Sequence, residues 1–231
     1  MDPIVLLGAL LALLAAIWFV FVRRGGRRSC VVLYGPMGSG KTALYHRLKT
    51  GDFVATVTSM KENEATFDWQ GCERRGQHTV DIPGHGRLRW RVKDFVPICK
   101  ALLIVVDSTA LGNVANARDA ANCVWDAIHV KPAGAKIIIV CNKSDDILAV
   151  SCKRVRVLLE AQLSALARTR SRYPGFHGDD EEGEAAAVDE TVAGAGENFN
   201  FDTSSPVPVT FVATSVKRGD LKQLNAALEN I

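Results

Sequence analysis

The sequence predicts an α/β domain, a mostly parallel six-stranded sheet with helices on both faces, preceded by one N-terminal transmembrane helix. Three observations carry this. Short apolar, β-branched runs alternate with helical stretches from Cys30 onward. A glycine-rich segment joins the first such run to the first helix. Residues 4–22 form a 19-residue run without a charge. A length of 231 residues suits one domain with an appendage, so 1–28 are read as anchor and basic juxtamembrane segment and 29–231 as the domain. With 48% hydrophobic and 23% charged residues, the chain is neither wholly disordered nor collagen-like.

The apolar run comes first. As a helix it would span ~28 Å, close to the ~30 Å hydrocarbon core of a bilayer. Trp18 lies near one end, at a depth suited to an interface, and Arg23, Arg24, Arg27 and Arg28 follow directly. A cleaved secretory signal carries its positive charge before the apolar stretch, whereas only Asp2 precedes this one. A retained single span follows, with Arg23 onward cytosolic and the short N-terminus across the membrane.

The remaining elements alternate. CVVLY (30–34) reads as a buried strand, and 41–49 as a helix. Residues 64–69 and 77–82 read as strands, with Gly71 and Gly76 marking the turn between them. ALLIVVD (101–107) and KIIIVC (136–141) are near-continuous apolar runs, typical of strands covered on both faces. Between them 113–129 is helical in composition. A long basic amphipathic helix is expected over 150–172, a last strand over 207–212 and a last helix over 221–230. Residues 173–206 break the rhythm. They are rich in Gly, Ala and acid, and are expected to be a disordered surface insertion.

Charge is balanced overall at +3, which gives no basic signature of a nucleic-acid binder, and no direct nucleic-acid binding is expected. Nine acidic residues and no Lys or Arg fall within 175–210. The rest of the chain carries 28 basic against 16 acidic residues, a net of +12. The six cysteines show no CxxC pair and are read as small buried thiols of a reducing compartment.

Three motifs carry chemistry. GPMGSGKT (Gly35, Pro36, Met37, Gly38, Ser39, Gly40, Lys41, Thr42) fits GxxxxGK[ST] and sits between a strand and a helix, as that phosphate-binding loop requires. Its amides and the helix N-terminus would wrap phosphates, Lys41 would reach the β- and γ-phosphates, and the Thr42 hydroxyl would bind Mg²⁺. DIPGH (81–85) follows the third strand. There Asp81 would hold Mg²⁺ through water and the Gly84 amide would meet the γ-phosphate. NKSD (142–145) follows the apolar strand ending at Cys141. The Asp145 carboxylate can accept both guanine N1–H and N2–H, and adenine offers it neither donor. Asn142 would tie this loop to the phosphate loop, and the Lys143 stem would cover the base. TSVK, with Thr214, Ser215 and Val216, fits a further base-contacting loop. Within 52–61, Thr58, or failing it Thr56, is expected to meet Mg²⁺ and the γ-phosphate as a switch threonine.

Together these motifs resemble the Ras-like GTPase superfamily over 29–231. Within it, the chain is most similar to the family of signal recognition particle receptor β subunits. An N-terminal span with a basic stretch, the loop TVTSM, DIPGHGRLR (81–89) and NKSD carry that similarity. The resemblance implies a Ras-like P-loop GTPase domain with GTP and Mg²⁺ as cofactors. It implies a single-pass protein of the endoplasmic reticulum membrane with a cytosolic GTPase domain and a lumenal N-terminus. Through its switch regions the GTP-bound form would hold the N-terminal domain of the receptor α subunit, and so recruit ribosomes and the translocon indirectly. The family pattern departs at His85, where GTPases commonly place a water-orienting Gln. His85 is the candidate catalytic residue, with slow hydrolysis expected. Arg87, Arg89 and Arg91 are either a solvated face or part of the α-subunit contact.

Other readings compete. An ATP-using phosphotransferase conflicts with NKSD. An anchor that binds GTP permanently without cycling is kept open by His85. An Arf- or Sar-like vesicle GTPase would use an amphipathic or lipidated N-terminus, and here position two is Asp2 rather than Gly.

Overall fold

The computed structural model describes residues 30–72, 75–130, 134–172 and 198–229. Within them the strands are β1 (Cys30–Tyr34), β2 (Asn63–Phe67), β3 (Gln77–Asp81), β4 (Cys99–Asp107), β5 (Lys136–Asn142) and β6 (Val209–Ala213). They form one sheet in the order β2-β3-β1-β4-β5-β6. Only β2 runs antiparallel to its neighbour. The helices are α1 (Lys41–Thr50), α2 (Val92–Phe95), α3 (Val114–His129), α4 (Cys152–Arg172) and α5 (Lys222–Glu229).

Side chains alternate across a strand, so β1 feeds two cores. Val31 and Leu33 pack with Leu44 and Leu48 of α1 and Leu224 and Leu228 of α5. Cys30, Val32 and Tyr34 face the other way, with Val124 and Ile128 of α3 and Leu159 and Leu163 of α4. Strands β4 and β5 are buried on both faces, which is why their sequences are apolar without alternation. β1 lies between β3 and β4, so connections leave it in opposite directions. The crevice beyond the carboxyl ends of the strands at such a point is where open α/β sheets bind ligands.

Several boundaries differ from expectation for physical reasons. The long basic helix begins at Cys152, because Ser151 caps it: its hydroxyl accepts from the Arg154 amide at 3.4 Å. The last strand begins at Val209, just past Pro208, which has no N–H for the ladder. Residues 86–98 form a 3-10 turn (Gly86–Arg91), α2 and a second 3-10 turn (Val96–Ile98) that their charged sequence did not announce.

The expectation of disorder across 173–206 is corrected at its end. Residues 198–206 are ordered. Phe199 and Phe201, spaced two apart, bury their rings at 2% and 4% exposure in the core beside α4. The Phe199 amide donates to Ser164 Oγ at 2.8 Å and the Phe201 amide to Glu160 Oε1 at 3.2 Å. Residues 173–197 lie outside the described residues, as do the run 4–22 and the basic stretch 23–28. Among the described residues no helix is long and apolar enough to cross a membrane.

Candidate functional site

The sheet's carboxyl edge gathers the three motifs. The phosphate loop leaves β1 and enters α1 through Gly40, held at φ 93°. A side chain at Gly40 is doubly barred: the left-handed backbone disfavours it, and a Cβ would lie 2.3 Å from Asn142 Nδ2. Ser39 Oγ donates to the Pro36 carbonyl at 2.9 Å, and Lys41 Nζ donates to the same carbonyl at 2.8 Å. Lys41 is 6% exposed, and burial lowers its pKa.

The loop after β3 closes over this cradle. A Cβ on Gly84 would lie 2.6 Å from Lys41 Nζ and 2.7 Å from the Met37 amide nitrogen, so no side chain fits between the two loops. A cavity remains between residues 37–38, 40–42, 56–59 and 83–84. Asp81 is fully buried at its edge. Its Oδ2 accepts from Thr42 Oγ1 at 2.7 Å and from Asn63 Nδ2 at 3.1 Å. Its Oδ1 is buried with no partner among the described residues. Burial raises the Asp81 pKa, against those two hydrogen bonds and Lys41.

These features fit a metal-bound polyphosphate. Thr42 and Asp81 offer hard oxygen donors of the kind Mg²⁺ prefers, and the unpartnered Oδ1 is an oxygen waiting for a cation or its water. The buried ammonium of Lys41 and the buried carboxylate of Asp81 are each disfavoured in their charged forms. Phosphate and cation would supply the missing counter-charges.

The NKSD and TSVK loops leave the ends of β5 and β6. Asn142 is 2% exposed. Its Nδ2 donates to the Ser39 carbonyl at 2.8 Å, and its Oδ1 accepts from the Val216 amide at 3.2 Å. One side chain thus joins the NKSD, phosphate and TSVK loops. The Thr214 carbonyl accepts from both the amide and hydroxyl of Ser144. Ser215 Oγ donates to Asp145 Oδ1 at 2.6 Å, and this hydrogen bond, with Arg218 nearby, lowers the Asp145 pKa against the effect of burial. Lys143 stands at φ 61°, rare for a side-chain-bearing residue. Its Nζ is held by Asp107 Oδ2 at 2.5 Å.

The expected switch residues behave unequally. Thr56 and Thr58 both line the cavity and are exposed, whereas the neighbouring Ser59 hydroxyl reaches Thr42 Oγ1 at 2.9 Å. His85 turns its ring to cap the first 3-10 turn, its Nδ1 accepting from the Arg87 amide at 3.3 Å. Arg89 pairs with Asp119 of α3, and Arg91 with Glu62 at 2.5 Å, so two arginines pin the segment after DIPGH on either side.

Sequence reading missed Ser59, Asn63, Asp107 and Arg218. Asn63 reaches Asp81 only because β2 is antiparallel, with Asn63 opposite Asp81. Asp107 was detectable in principle: it closes one apolar run as Asn142 closes the next, and the two are register partners.

The family model for the signal recognition particle receptor beta subunit matches residues 26–205. The signal recognition particle receptor subunit beta of Mus musculus is 32% identical, over 94% of this chain and 81% of that protein. A solved structure of the mammalian signal recognition particle receptor is 29% identical with a TM-score of 0.70, covering 87% of this chain and 98% of that one. The complex of SRb-GTP with SRX from Chaetomium thermophilum is 19% identical with a TM-score of 0.61, over 82% and 90% of the respective chains, and shares the fold.

Proposed function

The chain belongs to the signal recognition particle receptor β-subunit family, within the Ras-like GTPases, and from that premise we propose that it is the membrane-anchored guanine-nucleotide switch of that receptor. In its GTP-bound state it would hold the receptor α subunit through that subunit's N-terminal domain at the endoplasmic reticulum. The observation that carries the reading is the Asn142 bridge, which couples the NKSD loop to the phosphate loop through one buried amide.

In this proposal the amides of residues 35–42 and Lys41 hold the phosphates, Gly84 approaches the γ-phosphate, and Asp145 accepts the guanine N–H groups. The Lys143 stem covers the base, held in place by Asp107. Ser215 orients the Asp145 carboxylate, and Thr214 and Val216 hold the loop around it. Mg²⁺ would be held by Thr42, by Asp81 through water and by Thr58, with Ser59 as an alternative to Thr58, and would neutralise charge on the β- and γ-phosphates.

Partner docking is supported by the surface beside the cavity. Met37, Phe53, Val54, Val57, Met60 and Trp90 are exposed large apolar side chains on the phosphate loop and the two segments that would respond to the γ-phosphate. Exposed apolar area of this kind marks interaction surfaces. Residues 1–28 would supply the single span and basic flank, and 29–231 the GTPase domain. The same surface would hold the α subunit and thereby bring ribosomes to the translocon.

The test is nucleotide identity. Residues 27–231, purified without added nucleotide and denatured, should release guanine nucleotide in stoichiometric amount. ATP, or no nucleotide at any added GTP concentration, would overturn the reading. A second reading, an anchor that keeps GTP without cycling, is favoured by the engagement of His85 as a turn cap. Single-turnover hydrolysis in the presence of the α subunit and ribosomes separates the two.

A further inference from the structure

Two adjacent residues at the start of β2 hold both ends of the segment 81–91. Asn63 Nδ2 donates to Asp81 Oδ2 at 3.1 Å, where the segment leaves β3. Arg91 Nη1 donates to both carboxylate oxygens of Glu62, each at 2.5 Å, where the first 3-10 turn ends. Antiparallel pairing sets Asn63 opposite Asp81, so Glu62 lies one residue before the ladder begins, within reach of Arg91. Glu62 also follows directly on the segment 52–61. There residues 56–59 line the cavity, and the Ser59 hydroxyl lies 2.9 Å from Thr42 Oγ1. The Glu62–Arg91 ion pair therefore joins the two segments that flank the phosphate cavity. Arg89 instead ties its segment to Asp119 of α3. Arg91 Nε is buried without a partner among the described residues, so the guanidinium relies on Glu62. Gly84 lies within the held segment, packed so closely on Lys41 and Met37 that no Cβ fits. The ion pair is thus formed while Gly84 stands against the cradle.

We propose that Glu62 and Arg91 are positioning residues for γ-phosphate recognition. Their ion pair closes the segment 81–91 over the cradle, joins it to the segment 52–61, and so raises affinity for GTP over GDP. The proposal rests on the guanine-nucleotide reading above.

Neither side chain lines the cavity, so neither contributes a nucleotide contact of its own. Their effect runs through Gly84. The γ-phosphate is the part of GTP that GDP lacks, and the Gly84 amide is its expected contact. A ligand favours one arrangement of a protein only by binding it better than the alternative. GTP gains from the closed segment and GDP does not, so losing the ion pair weakens GTP binding and leaves GDP binding as it was. The size of the effect follows from exposure. The Arg91 and Glu62 side chains are 37% and 33% exposed, so solvent screens the pair and it biases the segment rather than locking it. A pair of this kind corresponds to about fivefold in affinity at most. The Arg91 guanidinium also lies 5.7 Å from the centre of the Trp90 ring, so the same residue holds an exposed aromatic beside the cavity.

The experiment measures the affinity of the full chain, purified in detergent with Mg²⁺, for a fluorescent non-hydrolysable GTP analogue and for fluorescent GDP. Glu62→Gln and Arg91→Gln should each lower analogue affinity about fivefold and leave GDP affinity unchanged. The double replacement should cost no more than either single one, because both remove the same interaction. The reversed pair, Glu62→Arg with Arg91→Glu, should restore most of the loss. A merely structural role would lower the Tm of the GDP-bound form and weaken both nucleotides together, with no change in their ratio. An unchanged analogue-to-GDP ratio in the single variants, or additive losses without rescue by the reversed pair, would overturn the proposal. The parent chain separates the two claims. If it binds guanine nucleotide and the variants keep its ratio, the ion-pair role alone fails. If it binds no guanine nucleotide, the reading fails and takes the ion-pair role with it.

Discussion

Replacing Asn142 by Ala removes one side chain and strands two backbone groups. The Ser39 carbonyl loses its donor at 2.8 Å and the Val216 amide its acceptor at 3.2 Å, both in buried surroundings. Each unsatisfied buried group costs ~1–3 kcal/mol, so the loss should be about 3 kcal/mol, with ~2–6 as the range. That is a large share of the ~5–15 kcal/mol that stabilises an ordinary domain. In a domain of this size it should lower Tm by about 6–12 °C. Asn142→Asp keeps the acceptor for the Val216 amide but sets a carboxylate oxygen against the buried Ser39 carbonyl, so it should cost at least as much. Urea denaturation of nucleotide-free 27–231 reads the effect as a shift in midpoint at constant slope. Nucleotide should then stabilise the variant less than the parent, because the base loop no longer positions the phosphate loop. A stability loss under ~1 kcal/mol for Asn142→Ala would refute the bridge as a structural tie.

Other predictions follow from the same geometry. Asp145→Asn should shift preference from GTP toward XTP in a competition assay, because the amide presents a donor to the purine 2-position. Phe201→Ala should cost ~3–5 kcal/mol in denaturation, since its ring is 4% exposed in the core. The buried Asp81 carboxyl has a folded-state pKa above its ordinary value, so the folded state binds this proton more tightly. Its contribution to nucleotide-free stability should therefore fall as pH rises through the window between the two pKa values. Asp81→Asn should flatten that slope while weakening the Mg²⁺ dependence of nucleotide affinity. Removing residues 1–28 should leave a soluble domain that still binds nucleotide.

Much of this was legible in the sequence, and the exceptions have physical reasons. The buried strands announced themselves because both faces must be apolar, as in Ile137–Cys141 between the two cores. The phosphate loop was legible because its glycines answer steric demands that other residues cannot meet. Edge structure was harder. β2 is half polar, and its antiparallel register, which delivers Asn63 to Asp81, depends on tertiary pairing. The burial of Phe199 and Phe201 was hidden within an acidic stretch whose average composition reads as solvated, although two aromatics spaced two apart suffice to pin its end. The ion pairs of Arg89 with Asp119 and Arg91 with Glu62 are likewise tertiary, with partners about thirty residues away in sequence.

In the proposed switch, nucleotide state sets partner affinity. The most direct measurement titrates the N-terminal domain of the receptor α subunit into the full chain, loaded in parallel with non-hydrolysable GTP analogue and with GDP, by calorimetry. A nucleotide switch should give tight one-to-one binding with the analogue and at least ~100-fold weaker binding with GDP, a coupling of about 2.7 kcal/mol. Equal affinities in the two states would contradict it.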